Sequence, residues 1–254
     1  MKNNSLFFYI LVRSWNSFEF FDRCMDSILN QTYTNFKILF IDDASDYTKS
    51  QKNYMNKRLK DHLLVFNKER KYSVYNGYYL IHNFAKRKDT VVCVVDGDDW
   101  LIDKNALGYI ARVYKKTNPM LAYGNCLVWN GKKFTDPGKI FGKHINTRYP
   151  KNVEIKKDYR RELFRVLHIQ TFKTQAFKEI DRNYFLDEDG NWLKHVLDLA
   201  AFTTMLEMTG GNYSVIKRRL YAYNMASKYL NIKVQPIEFV REIFTVSKKA
   251  KYGI

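Results

Sequence analysis

The run TVVCVV at positions 90–95 is apolar at nearly every position and stops at Asp96. A strand that alternates apolar and polar residues can rest one face in water. An unbroken β-branched run has to be covered on both faces, which is the condition of a strand in a parallel sheet with helices on either side. Leu6–Val12 and Lys37–Ile41 repeat the pattern, the second ending at Asp42 and Asp43, and His62–Phe66 is a shorter version. Helical periods lie between them. Phe21, Cys24, Met25, Ile28 and Leu29 follow the i, i+3, i+4, i+7, i+8 spacing of a buried stripe, and Asn16 with Glu19 reads as a capping box opening that helix. A polar helix runs through Lys57, and a more apolar one carries Val74, Gly77, Tyr78, Ile81 and Ala85. Strands and helices alternating at these lengths predict an α/β fold, a mostly parallel central sheet flanked by helices.

In such sheets ligands bind beyond the carboxyl ends of the strands. The densest acidic spots of the first half, Asp42-Asp43 and Asp96 to Asp99, each follow a strand. Asp96, Asp98 and Asp99 repel one another when ionised, so a positive charge is needed to offset them. Carboxylate oxygens suit Mg2+ or Mn2+, ions that complete their shells with substrate phosphates. The pattern therefore points to a diphosphate-bearing substrate; the rival explanation is an acidic turn whose aspartates cap nearby backbone groups. Asp42 or Asp43 can accept a hydrogen bond from a base imide or a ribose hydroxyl, or can form a turn with Ala44 and Ser45.

Farther along, Asp103 is a candidate N-cap for a helix carrying Leu107, Ile110, Ala111 and Tyr114, and Met120–Trp129 reads as one returning strand. Asn130–Lys157 has no clear period and reads as a long loop. Leu193, Val196, Leu197, Ala200, Ala201 and Met208 mark a further helix, and Leu220–Tyr223 a short strand. With 46% apolar residues the chain has ample material for a core, which excludes a disordered chain. Its 43 Lys+Arg against 26 Asp+Glu leave a net charge of +17, which suits phosphate-bearing molecules, an anionic membrane surface or nucleic acid without choosing among them. The longest apolar run, Leu6–Val12, is far short of the roughly 20 residues of a membrane span. Cys24, Cys93 and Cys126 are odd in number, far apart and set among apolar neighbours, so they read as reduced core thiols of a cytoplasmic protein.

The stretch FYILVRSWNSFEFFDRCMDSILNQTYTNFKILFIDDAS resembles the opening of the inverting family 2 glycosyltransferases, and VVDGDDW resembles their metal-binding Asp-x-Asp segment. LDEDGNWLKHVLDLAAFTTMLEMTG and LYAYN are similar to the acceptor-side segment of one branch of that family. The resemblance implies a Rossmann-like A-type glycosyltransferase (GT-A) fold. Residues 1–129 would be the nucleotide-sugar-binding half, and residues 130–254 the acceptor-binding and catalytic-base half of the same compact domain. It implies Asp42 or Asp43 near the nucleobase, Lys71 facing the nucleotide, Asp96 near the ribose or metal, Asp98 as chief metal ligand and Asp99 in support. The implied base is Asp198 or, in the literal Glu188-Asp189 dipeptide, Asp189, with Asp198 favoured. Lys194, four residues before Asp198, offers a plain surface ion pair as the alternative reading of that residue.

Where many relatives carry a metal-approaching His, YAYNMAS has Asn224, a poorer ligand for manganese. His168 falls in a segment similar to part of the acceptor site, although a lone His among apolar residues is more often a core residue. The implied reaction is metal-dependent, inverting transfer of a sugar from a nucleotide-diphosphate donor, UDP-sugar by default, to a glycan or other hydroxyl acceptor, with Mn2+ or Mg2+ as cofactor. Two other classes stand beside it. A haloacid-dehalogenase-like phosphatase would use the first Asp of Asp-x-Asp as nucleophile, but Trp100 stands where Thr or Val is usual. A non-catalytic basic module holding nucleic acid or glycan has no need of clustered carboxylates. The basic stretch through Lys251 leaves open contact with a membrane surface, another subunit or further polypeptide.

Overall fold

Successive side chains of a strand point to opposite faces of a sheet. Here both sets are buried. In the computed structural model, which describes residues 5–253, the first strands are β1 (Phe7–Ser14), β2 (Phe36–Asp42), β3 (Leu63–Phe66) and β4 (Thr90–Asp96). On one face Tyr9, Leu11, Leu39, Ile41, Val92 and Val94 join one core; on the other Phe8, Ile10, Val12, Ile38, Phe40, Val91, Cys93 and Val95 join a second. The second core is closed by helices α1 (Phe18–Leu29), through Phe21, Cys24, Met25 and Ile28, and α4 (Ala106–Thr117), through Ala106, Leu107, Ile110 and Tyr114. Between these two in the chain come α2 (Lys49–Arg58), opened by a Thr48–Gln51 capping box, and α3 (Tyr72–Phe84). Each fully buried Val, Leu, Ile or Phe contributes about 1.5–3 kcal/mol, so the unbroken apolar strands, together with the helices that cover them, stabilise the fold.

The remaining strands are β5 (Trp100–Leu101), β6 (Leu121–Tyr123), β7 (Cys126–Trp129), β8 (Phe134–Thr135), β9 (Gln170–Lys173), β10 (Tyr213–Val215) and β11 (Tyr221–Asn224). The main sheet has seven strands in the order β10-β6-β9-β4-β1-β2-β3, parallel except for β9, which runs against both neighbours. A second sheet, β5-β11-β7-β8, stands beside it. Strands from both sides of residue 129 take part in both sheets. The later helices are α5 (Gly138–Phe141), α6 (Lys151–Lys156), α7 (Thr174–Lys178), α8 (Leu197–Thr209), α9 (Asn231–Val234) and α10 (Pro236–Lys248). Of these α8 is the most deeply buried, and Leu197, Ala200, Ala201, Phe202 and Met205 cover the first core together with Val74, Leu80 and Ile81 of α3.

Four local expectations are corrected. The first helix has Ser17, not Asn16, at its N-cap, with no side-chain cap bond; Asn16 sits at φ 51° in the turn, where its N–H is bound by Ser45. Asp103 is not the cap of α4, whose N-cap is Asn105; the Asp103 carboxylate instead accepts the Asn105 N–H at 2.9 Å. Met120–Trp129 is two strands, because Gly124 at φ 74° breaks the run and sends β6 into the main sheet and β7 into the second. The stretch 130–157 contains β8, α5 and α6 rather than only loop. The three cysteines are buried and free, as read. Among the described residues no helix is long and apolar enough to cross a membrane.

Candidate active site

After β1 the chain places β2 and β3 on one side and β4 on the other, so the order of the sheet reverses between β1 and β4. An open α/β sheet binds ligands in the crevice beyond its strand ends at such a point. A cleft of about 220 Å3 opens there, lined by residues from nearly the full length of the chain. In the parallel ladder Arg13 is the partner of Asp96, and its Nη2 donates to Asp96 Oδ1 at 2.6 Å. Burial alone pushes the Asp96 carboxyl up, but the Arg13 guanidinium overcomes this and holds it below the usual carboxylate range. Gly97 follows with its N–H on the Arg13 carbonyl at 2.8 Å, and a Cβ there would lie 2.7 Å from Ser14 Cβ. Only glycine lets the chain turn this close to β1.

The aspartates after Gly97 do different work. Asp99 is buried, and its two oxygens accept Tyr221 O–H and the Asn224 N–H, both at 2.7 Å. It anchors β11 of the second sheet beneath the end of β4. Burial, then the neighbouring Asp98 and Asp96 charges, raise its pKa well above the usual carboxylate value. Asp98 lines the cleft, and burial followed by the Asp96 charge pushes it up to about 6. Asn224 turns its Nδ2 to the Asp98 carbonyl at 3.0 Å and its Oδ1 to the Ala226 N–H, so its side chain is spent on structure.

An imidazole enters the cleft from elsewhere. His168, just before β9, lies between the rings of Tyr221 and Tyr223, nearly parallel to both at centroid distances of 4.6 and 5.3 Å. Its Nε2 is 3.6 Å from Asp96 Oδ2, and burial lowers its pKa despite that neighbour. A neutral imidazole keeps a lone pair for a metal. Ligand atoms of Asp96, Asp99 and His168 all lie within 4.8 Å of one another, with Asp98 on the same cleft. Burial and then crowding raise Asp98 and Asp99, the crowding is what a nearby cation would relieve, and oxygen plus imidazole donors suit a divalent ion such as Mn2+. The residues fit the cation that the sequence implied.

At the β2 end, Asp42 and Asp43 part company. Asp42 is buried away from the cleft and accepts Ser45 Oγ and N–H at 2.5 and 3.0 Å; burial raises its pKa. Asp43 lines the cleft and accepts the N–H groups of Lys71 and Tyr72 at 2.8 and 2.9 Å, Asn67 Nδ2 at 3.0 Å and Arg70 Nε at 3.1 Å. Burial works against its ionisation, yet these bonds, the Lys71 N–H foremost, hold it below the usual range. The cation at this end of the cleft is Arg70, packed between Trp15 at 3.5 Å and Tyr72 at 4.5 Å from the ring centroids. The Lys71 side chain does not line the cleft. It pairs with Glu69 on the surface, because the turn with Tyr72 at φ 63° gives its N–H, not its ammonium, to Asp43.

Asp198 reaches the cleft from the first turn of α8, where the helix dipole favours a carboxylate. Gly77 of α3 permits this seat: a Cβ there would come 2.3 Å from Leu197 Cδ2, one residue before Asp198. The ion pair with Lys194 that is the alternative reading of Asp198 does not form, since α8 begins only at Leu197 and Lys194 Nζ binds Glu238 at 2.7 Å. Asp189 is exposed in a turn organised by Asp187, whose Oδ1 accepts the N–H groups of Asp189 and Asn191, and it does not line the cleft. His195 does, with Nε2 lacking a hydrogen-bond partner among the described residues.

The sequence profile described as Glycosyl transferase family 2 matches residues 9–181, more than half of the chain. The chain is a member of glycosyl transferase family 2. Solved structures agree in fold. Staphylococcus aureus TarS 1–349 superposes with a TM-score of 0.60 at 15% identity, over 86% of this chain and 60% of that one. The UDP complex of the same protein gives a TM-score of 0.62 at 14% identity, over 95% and 64%. The mannosyltransferase PcManGT of Pyrobaculum calidifontis, in complex with GDP-Man and Mn2+, gives 0.55 at 12%, over 88% and 58%. This family 2 chain therefore has the GT-A fold and spans about three fifths of the length of those TarS 1–349 and PcManGT chains. No curated protein matches it by sequence.

Four cleft residues escaped the sequence reading or were read as core: Arg13, Arg70, His168 and His195. Arg13 left a signal, since it ends its apolar run as Asp96 ends the next, and neighbouring parallel strands set their ends side by side. His168 left only its place in a segment similar to part of the acceptor site, and His195 left none, because the position of each depends on packing between segments far apart in sequence.

Proposed function

We propose that this chain transfers a sugar from a nucleoside-diphosphate donor to an acceptor hydroxyl with inversion at the anomeric carbon. The observation that carries the reading is the convergence, in one cleft at the sheet's reversal point, of Asp43, Asp96 and Asp98 from strand ends with Asp198 from a helix start roughly a hundred residues on. Asp43 and Arg70 form the nucleoside end, Arg70 also offering charge to phosphate. Asp96 and Asp98, with His168 opposite, are the groups to hold Mn2+ or Mg2+, while Asp99 fixes their backbone. A bound cation would supply positive charge against the developing diphosphate leaving group. Asp198 accepts the proton of the attacking hydroxyl from the other side of the sugar. In this reading residues 1–129 form the donor half and 130–254 the acceptor and base half. UDP-sugar is the favoured donor, supported by the TarS complexes with UDP and UDP-GlcNAc; the GDP-Man complex of PcManGT makes GDP-sugar the alternative.

The test is thermal shift against a panel of nucleotide-sugars with and without Mn2+. Stabilisation by one donor, lost on chelation, is the expected result. Anomeric NMR of the transfer product then reads the stereochemistry. A flat response to every nucleotide-sugar in the presence of metal would sink the assignment.

A further inference from the structure

Helix α10 presents two working sides. Its inner side carries Phe239, which lines the cleft, Val246, which lies in the core, and Glu242, which accepts the backbone N–H groups of Lys194 and His195 at 2.6 and 2.8 Å. Its outer side carries Ile237, Val240 and Phe244 at i, i+3 and i+7, one stripe of a helix. Ile237 and Phe244 are 79% and 61% exposed. Arg241 and Lys248 fall on the same side by helical spacing and are also exposed. Contiguous apolar side chains held in water mark an interaction surface.

The stripe runs into a cationic cavity. About 390 Å3 of space at the C-terminal end of α10 is lined by Arg160, Arg161, Lys248, Lys249 and Lys251, together with Asp158, which pairs with Lys251 at 3.3 Å. The Arg160 side chain is almost wholly buried, where its Nη2 pairs with Glu207 at 2.8 Å while its Nε has no hydrogen-bond partner among the described residues, so the exposed cations of the cavity are Arg161 and Lys248. Burial, and then the charge of Arg160, push the Lys249 ammonium below its usual range, so the cations here crowd one another. Two more exposed apolar residues adjoin: Leu163, 62% exposed, two residues after Arg161, and Ile155, 72% exposed, beside Lys156, whose carbonyl binds Lys251 Nζ.

We propose that the outer face of α10, with the cationic cavity at its end, docks this protein on an anionic membrane surface. Ile237, Val240 and Phe244 enter the headgroup boundary, and the cavity takes a lipid phosphate. An apolar stripe edged by Lys and Arg is the physical signature of a helix lying in the interface plane, and anionic headgroups complement both the cavity and the net charge of +17. A second copy of the chain is the poorer occupant, since two cationic rims would face each other across that contact. Because the inner side of α10 lines the cleft, docking holds the cleft about one helix diameter, ~10–12 Å, from the lipid surface.

The experiment is co-sedimentation of the full chain with phosphatidylcholine vesicles, with and without phosphatidylglycerol. The protein should pellet with the phosphatidylglycerol vesicles, stay in solution with phosphatidylcholine alone, and be released by salt. Two double variants at exposed positions, Ile237→Glu with Phe244→Glu and Arg161→Gln with Lys248→Gln, should each lower binding by about tenfold or more with melting temperature unchanged. Failure of the parent to pellet, or undiminished binding of the first variant, overturns the proposal. So does a dimer in sedimentation velocity that the first variant abolishes, which assigns the face to a second copy. Equal stabilisation of the parent by inorganic phosphate and by vesicles makes the cavity a free-phosphate site and overturns the lipid assignment. Nucleotide-sugar stabilisation, measured on the same variants, should be intact, so failure here and failure of the donor reading are distinguishable.

Discussion

Arg13 and Asp96 end adjacent parallel strands as direct ladder partners and meet at 2.6 Å on the lip of the cleft. The pair is half sheltered, with side chains 12% and 29% exposed. It keeps one of three crowded carboxylates ionised and fixes the others behind it. Arg13→Met should cost about 1–3 kcal/mol, between the values for exposed and buried ion pairs, read as a lower urea midpoint. It should also let the Asp96 pKa rise and weaken donor binding. An unchanged midpoint and unchanged binding would remove the pair from both roles.

Gly97→Ala probes the same lip without touching a charge. The added Cβ meets Ser14 Cβ at 2.7 Å and the Arg13 carbonyl oxygen at 3.0 Å, and backbone cannot swing aside. Overpacking of this kind costs about 1–3 kcal/mol. Donor-induced thermal stabilisation should fall further than stability does, because Asp96 and Asp98 flank the glycine.

For Asp198→Asn the expectation is reversed. The side chain is partly buried, and the hydrogen bond it accepts from the Leu199 N–H at 2.9 Å can be kept by an amide oxygen. Stability should change by less than about 1 kcal/mol. Loss of a general base should lower kcat by about 100-fold or more with the donor KM near the parent value. Transfer at the parent rate would reassign the base.

His168→Phe keeps a ring between Tyr221 and Tyr223 but removes the nitrogen facing Asp96. The variant should fold. The extra thermal stabilisation that Mn2+ gives in the presence of nucleotide should shrink, and isothermal titration would show weaker metal binding. Identical metal titrations in parent and variant would leave His168 a packing residue.

Acidity supplies a further check through Asp98, whose pKa is raised to about 6 by burial and by Asp96. Without a cation the folded chain holds that proton to a higher pH than the unfolded chain does. The stability this group contributes is therefore present below the ordinary carboxylate value and is lost as pH rises through about 6. A bound cation needs the ionised form, so Mn2+ should stabilise the protein more above pH 6 than below it. Melting curves across this range, with and without Mn2+, and repeated on Asp98→Asn, test both signs.

The parallel sheet, and the aspartates that stand at its edge, were legible in the amino-acid order alone. Both are local consequences of chain geometry: an unbroken apolar run such as Val91–Val95 has to be covered on two sides, and the residue that ends it, Asp96, has to emerge at the strand's carboxyl end. Family resemblance extended that reading to Asp198, which does line the cleft, and to Lys71, whose side chain does not. Packing was needed to place Arg70 rather than Lys71 beside Asp43 in the cleft, to turn Asp42 inward and Asp43 toward the cleft, and to set the His168 imidazole beside Asp96. A one-residue step along a turn reverses which side chain faces inward, and local spacing does not fix that step. His168 is held by rings more than fifty residues later in the chain, so its position is settled by packing between sheets.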